Sequence, residues 1–269
     1  MPTTPAPGLP AAVTWASPAR QQAFEQWLAP LVGPHGLQPA TLAPASADAS
    51  FRRYLRLQGR QGSLVVMDAP PPQEDVRPFM QVAGLINTAG LHAPEVLAAD
   101  TTHGFLLLTD LGQRLYLDVL KEASTDEADH LMRDALRALV HFQQHVPADG
   151  LPPYDAALLQ RELALFPEWC VQKEFGITWT ADEQQVWERS CALLVASALA
   201  QPVVAVHRGW MPRDLMVGDP HPGLLDFQYS VRVPITYDLA SMLRDAFISW
   251  EEERELDWAV RWWDQARRA

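Results

Sequence analysis

The pattern of apolar and polar positions divides the chain into two differently organised parts. After a Pro-rich opening, residues 21–32 (QQAFEQWLAPLV) place apolar side chains at helical spacing, predicting a short amphipathic helix stopped by Gly33 and Pro34. In SFRRYLRL, Phe51, Arg53, Leu55 and Leu57 alternate with Arg52, Tyr54 and Arg56, the period of two expected of a strand. QGRQG then makes a turn and SLVVMDA returns, giving a hairpin. Over residues 76–89, Val76, Phe79, Met80, Ala83 and Ile86 form one helical stripe, with Gly90 as the stop. PEVLAAD and GFLLLTD predict a second hairpin.

The periodicity then changes. Ser124 to Glu127 and Thr180 to Glu183 both read as capping boxes. The first opens a long helix carrying Leu131, Ala135, Leu139 and Phe142, and the second a helix over residues 184–200. ALLQRELALFPEWC predicts a helix stopped near Pro167. The short apolar runs around VVAVHRGWMPRDLMV and LLDFQ predict one small strand pair within residues 203–227. TYDLASMLRDAFISW and EEERELDWAVRWWDQARRA both read as helical. The second has acids first and arginines last, which suits the helix dipole. Trp262 and Trp263 are assigned to packing.

These elements predict an α+β chain in three stretches: a flexible N-terminus (1–19), a small antiparallel β lobe (20–109) and a larger helical lobe with an embedded strand pair (110–269). A cleft between two lobes is the default ligand site.

Charge and composition narrow the function. The net charge is −12, which argues against a nucleic-acid binder resting on phosphate contacts, so an anionic substrate needs a local positive site. Cys170 and Cys191 have no metal or redox spacing and read as free buried thiols of a reducing cytoplasm. The opening residues lack a basic region and sustained apolar stretch, and no run is long enough to span a membrane, so a cytoplasmic location is expected. Lys121 and Lys173 are the only lysines, leaving residues 1–120 with none.

The chemistry concentrates in VVAVHRGWMPRDLMVGDPHPGLLDF, where buried runs would present His207, Asp214 and Asp226 at one edge. Two carboxylates on adjacent strand ends either share a hard cation such as Mg2+, bridging the phosphates of ATP, or cap turns.

The order H-R, a spaced Asp-Leu, a turn and L-L-D-F resembles the aminoglycoside phosphotransferase and choline kinase group of protein-kinase-like enzymes. More narrowly, ASADASFRRYLRL, LVVMDAPP, GFLLLTDLG, RELALFPEW and PITYDLASMLRDAFISW are similar to bacterial anomeric sugar kinases of cell-wall recycling. Those enzymes phosphorylate N-acetylmuramate and N-acetylglucosamine at C1 with ATP. The likeness runs from about residue 20 to the end and implies a protein-kinase-like two-lobe fold. Its implied partners are a small amino sugar and Mg-ATP, with no nucleic acid, membrane or obligatory protein partner.

Carried over by position, the resemblance makes Asp226 a metal ligand and Asp214 another, at the place of the family's Asn. The loop holding Ser46, Asp48, Ser50, Phe51, Arg52 and Arg53 would cover the nucleotide phosphates. Lacking a strand lysine, the chain would use Arg52 or Arg53 instead, unless both merely decorate a solvated strand. The stretch from Leu106 through Leu108 to Asp110 corresponds to the adenine-facing hinge. Gly209 occupies the position of the family's general base, an Asp, which implies impaired turnover; Asp214 is the nearest replacement and His207 a structural support of the loop. Tyr229 and Val233 also depart from the family pattern, replacing an acid and a glycine. Trp169, Phe166 and Trp210 are candidates for stacking on a sugar or for core packing, and Arg213 for meeting a carboxylate or phosphate. Related kinases continue with more helices after the matched segment, so a truncated end is also expected. Three readings remain open: an impaired sugar 1-kinase, a nucleotide-binding pseudokinase, and an aminoglycoside or small-alcohol kinase.

Overall fold

Strands form where the period of two appears, and their apolar face sets the first core. The computed structural model describes residues 13–47, 51–218 and 222–268. The chain forms two compact units: residues up to 87 with 93–112, and residues 88–92 with 113–269.

In the first unit, α1 (Pro18–His35) precedes β1 (Gln38–Ala47), β2 (Arg53–Gly59), β3 (Gly62–Asp68), α2 (Arg77–Thr88), β4 (Val96–Asp100) and β5 (Phe105–Thr109). The strands make one antiparallel sheet in the order β1-β2-β3-β5-β4. Leu55, Leu57, Val66, Phe105 and Leu107 from the sheet pack on Phe24 and Leu28 of α1. The helix runs through Gly33 and Pro34 rather than stopping there. Ser17 caps its start, and Gly36, at φ 61°, supplies the left-handed turn that ends it. A proline's own φ is helical, and near the helix end its missing N–H costs one ladder bond.

The segment 13–17, expected to be flexible, joins this core: Val13 and Trp15 pack against it, with the Trp15 and Phe24 rings 4.7 Å apart. Residues 1–12 lie outside the described residues. The sequence pattern gave no warning of β1, which contains Pro39 and Pro44; it is an edge strand with two register shifts, where prolines are tolerated.

In the second unit, α3 (Tyr116–Glu122) and α4 (Thr125–His145) come first. They are followed by α5 (Ala156–Leu165), a π-helix (Phe166–Glu174) and α6 (Ala181–Leu199). Both capping boxes form as expected, at Ser124–Glu127 and Thr180–Glu183. Ala135, Leu139 and Phe142 of α4 are buried, whereas Leu131 is only half-buried. Pro167 does not stop the chain's helical course. The proline has no N–H for the regular ladder, and the backbone widens into π geometry instead.

The expected single strand pair is two ribbons: β6 (Val203–Val206) pairs with β9 (Val231–Pro234), and β7 (Leu215–Met216) with β8 (Gly223–Leu224). Helix α7 is only Tyr237–Leu243, shorter than its apolar pattern suggested, and α8 spans Glu252–Ala266. Trp258 and Trp262 of α8 are buried, and Trp258 Nε1 donates to Asp129 Oδ1 at 2.9 Å. Trp263 is exposed, because α8 turns only one stripe inward; it does not serve packing as expected. The two terminal arginines, Arg267 and Arg268, fall just past the last turn of α8, where Arg267 pairs with Asp264. Cys170 and Cys191 are free and half-buried rather than fully buried. Among the described residues, no helix is long and apolar enough to cross a membrane.

Candidate active site

The candidate catalytic loop leaves β6 at Val206 and is held from beneath by one acid. Asp238, fully buried near the start of α7, accepts the His207 N–H at 2.7 Å through Oδ2 and the Arg208 N–H at 3.0 Å through Oδ1. The Trp210 N–H also reaches it. Three converging N–H groups bend the backbone into a cradle, with Arg208 at φ 69° in the left-handed region. Burial pushes the Asp238 carboxyl up to about 7, against the opposing pull of these N–H groups. Nothing in the sequence analysis singled out Asp238; its only signal was an acid on the inward face of an otherwise apolar helix start.

His207 is fully buried. The Gly209 N–H donates to its Nδ1 at 3.2 Å, placing the ring proton on Nε2, toward the Leu225 carbonyl. Burial pushes its pKa down to about 3, with that carbonyl opposing the shift. The ring lies edge-on to Trp210 and Phe227 and near Phe142. Trp210 itself is completely buried against Phe142, so it belongs to the core and cannot stack on a sugar.

Beyond Gly209 the chain turns through a 3-10 segment, Pro212–Asp214, and enters β7. The Met211 N–H donates to the Gly209 carbonyl at 2.8 Å and the Asp214 N–H to the Met211 carbonyl at 2.9 Å. On the other arm of the ribbon, the Leu225 N–H donates to the Asp214 carbonyl at 2.9 Å, extending the β7–β8 ladder by one step. Asp214 and Asp226 therefore emerge from neighbouring ends of one ribbon. Asp226 sits at φ 57°, in the left-handed region, and Gln228 Nε2 donates to its Oδ1 at 2.6 Å. Gln228 was not singled out from the sequence as a site residue.

The donors at this ribbon end are oxygens of two carboxylates, the set a hard cation takes. The buried Gln228 Oε1 is left without a hydrogen-bond partner beside them. The residues present thus fit Mg2+ held by Asp214 and Asp226. No cluster of three or more His, Cys, Asp or Glu side chains suited to a metal occurs among the described residues. Arg213 is exposed; its Nε lies 3.6 Å from Asp214 Oδ2 and its guanidinium is over the Phe247 ring. Trp169, on the π-helix, is exposed and carries the Lys173 ammonium over its face at 3.5 Å, and Phe166 is exposed beside Trp187.

In the first unit, the expected nucleotide residues divide. Asp48 and Ser50 lie outside the described residues, as does the Ser46 side chain; the Ser46 backbone pairs with Tyr54. Phe51 is exposed. Arg52 is buried, with Nε 4.0 Å from Glu74. Arg53 bonds Asp68 at 2.7 Å and the Thr14 carbonyl, and lies over Trp15. Leu108 is buried in β5, whose two edges pair with β3 and β4. Asp110 is enclosed by Arg56, Ser63 and the Gly112 N–H. Burial acts to raise its pKa, but those three partners outweigh it and the net shift is downward.

Residues 41–269 fit the Phosphotransferase enzyme family. A Pseudomonas aeruginosa protein named N-acetylmuramate/N-acetylglucosamine kinase is 53% identical over 228 residues, 85% of this chain and 67% of that protein. A Neisseria meningitidis protein of the same name is 44% identical over 227 residues, 84% of this chain and 67% of that protein. In fold, the chain is similar to the aminoglycoside phosphotransferase APH(3'')-Id from Streptomyces rimosus, solved with ADP and streptomycin. The TM-score is 0.60 at 16% identity, covering 91% of this chain and 94% of that one. With the family description spanning most of its length, this chain belongs to the phosphotransferase enzyme family.

Proposed function

We propose that the protein transfers the γ-phosphoryl group of ATP to the anomeric hydroxyl of an amino sugar, N-acetylmuramate or N-acetylglucosamine, in cell-wall recycling. The observation that carries this reading is the 53% identity over 228 residues to a protein named for kinase action on those sugars. The arrangement at the ribbon end supports it. Asp226, oriented by Gln228, and Asp214 would hold Mg2+, which when bound neutralises charge on the transferring phosphoryl group. Asp238 and His207 keep the loop in place around Gly209. Exposed Arg213 is the cation beside that ribbon end suited to a sugar carboxylate or a phosphate.

Gly209 brings no proton acceptor of its own. Loss of a general base typically lowers the rate by about 10² to 10⁴, so turnover is expected to be slow. The same glycine favours a second reading, a nucleotide-binding pseudokinase. Isothermal titration with Mg-ATP, followed by phosphate transfer to each sugar and to a panel of aminoglycosides, decides between them. Binding with slow transfer to the amino sugars is expected. Binding without transfer to any acceptor gives the pseudokinase, and absence of Mg-dependent ATP binding removes both readings. Asp226→Asn is expected to weaken the Mg2+ dependence of ATP binding at least tenfold.

A further inference from the structure

Helices α4 and α8 pack together, tied by Trp258 Nε1 donating to Asp129 Oδ1 at 2.9 Å. Between them lies a groove of about 350 Å³, lined by Arg133 and Arg137 of α4 and by Arg261, Asp264, Gln265 and Arg268 at the end of α8. Four guanidiniums thus meet one carboxylate, in a chain whose 33 Asp and Glu outnumber its 21 Lys and Arg. Helical spacing brings them together. Arg133 and Arg137 are four residues apart, as are Arg261 and Gln265, and Arg268 follows three residues later, so each helix offers one row of donors. None of these residues belongs to the loop or ribbon that carries Asp214 and Asp226. The arginines are held by neighbouring acids but not used up by them. Arg133 Nη2 pairs with Asp129 at 2.7 Å, Arg137 Nη1 with Asp134 at 2.8 Å and Arg261 Nε with Asp257 at 2.6 Å. Each pair engages one nitrogen of a five-donor fork. The three side chains stay open to solvent, Arg137 most of all.

We propose that this groove is an anion site for a small molecule carrying two or more phosphate groups. Guanidinium forks match phosphate oxygens two at a time. Donors on both walls suit a ligand with anionic groups at more than one point. The volume, about 350 Å³, lies at the small end of ligand pockets. Charge outside the groove sets the same limit: Asp129, Asp134 and Asp257 flank it, and the net charge of −12 repels a long polyanion such as a nucleic acid. A compact ligand stays within reach of the four arginines. Asp264, the one acid in the lining, also pairs with Arg267 and opposes binding.

Isothermal titration of the full chain with sodium tripolyphosphate tests the site, without divalent cations and in about 0.1 M salt, where screening acts over about 10 Å. Binding of one equivalent is expected. Arg137→Gln and Arg261→Gln, taken from opposite walls, should each weaken it by about tenfold. Asp264→Asn removes the negative charge of the lining and should tighten it by about threefold. Arg189→Gln makes the same charge change on α6, which lines no part of the groove, and should leave the affinity within about twofold. Melting temperatures should match the parent, because exposed ion pairs contribute little to stability. Should an arginine variant fail to fold, the tightening by Asp264→Asn decides. Absence of tripolyphosphate binding overturns the proposal, as does unchanged affinity in the folded arginine variants or an equal loss with Arg189→Gln. A folded Asp264→Asn chain that binds no tighter overturns it too, and so does orthophosphate or citrate binding as tightly as tripolyphosphate. Phosphate transfer enters none of these measurements, so they are independent of the kinase reading.

Discussion

At the residue scale, the loop rests on two buried groups whose titrations run in opposite directions. His207 has a pKa of about 3 in the folded chain against an ordinary 6.5. Between those values the unfolded chain binds a proton that the folded chain refuses, so this residue's contribution is present above pH 6.5 and is lost on acidification. Asp238, at about 7 against 3.8, acts in reverse: the folded chain binds the extra proton, and stability falls as pH rises through that window. Each slope is about 1.4 kcal/mol per pH unit. A His207→Gln variant retains only the Asp238 slope. Its stability deficit relative to the parent should therefore shrink as pH drops from 6.5 to 4, by about that amount per unit. Urea titrations at pH 4, 5, 6 and 7 measure it; a deficit independent of pH would contradict the assigned burial of the ring.

At the element scale, the Arg56–Asp110 pair joins β2 to the end of β5. Arg56 Nε donates to Asp110 Oδ2 at 2.6 Å and Ser63 Oγ donates to the same oxygen, also at 2.6 Å. The Asp110 side chain is 4% exposed, so the pair is screened little. Arg56→Met strands a buried carboxylate and is expected to destabilise the chain by about 3 kcal/mol, with Asp110→Asn in the same background relieving most of the loss. A double-mutant cycle by chemical denaturation reads both. Sequence reasoning places Asp110 beside the expected hinge as a nucleotide residue; in the structure its carboxylate bonds Arg56 of β2, Ser63 of β3 and the Gly112 N–H. The hairpins and both capping boxes were legible because their signals are local. The π-helix after Leu165 and the early end of α7 were not, since each depends on how the surrounding backbone packs.

At the scale of the whole molecule, the chain forms two compact units, and the second bears the ribbon that carries Asp214 and Asp226. Each curated relative cited is matched over 67% of its length. The helices α5 and α6, with the π-helix between them, leave Phe166, Trp169, Leu193 and Leu194 exposed, and bury little beyond Val171 and Val195. If the chain binds Mg-ATP as proposed, ligand at 100 times its dissociation constant should stabilise it by about 2.7 kcal/mol. Thermal unfolding with and without Mg2+ measures this, and ATP alone should give a much smaller shift.

The sequence by itself determined the alternating strands, the helix starts, the order of the loop segments and the absence of an acid at 209, because each is written in neighbouring residues. Only the tertiary structure decided that Trp210 is core, that Asp238 holds the loop, and that Asp214 Oδ2 borders the space beside Gly209. Those facts depend on backbone groups and side chains brought together from distant positions, where burial and hydrogen-bond geometry assign a role that composition and spacing do not encode.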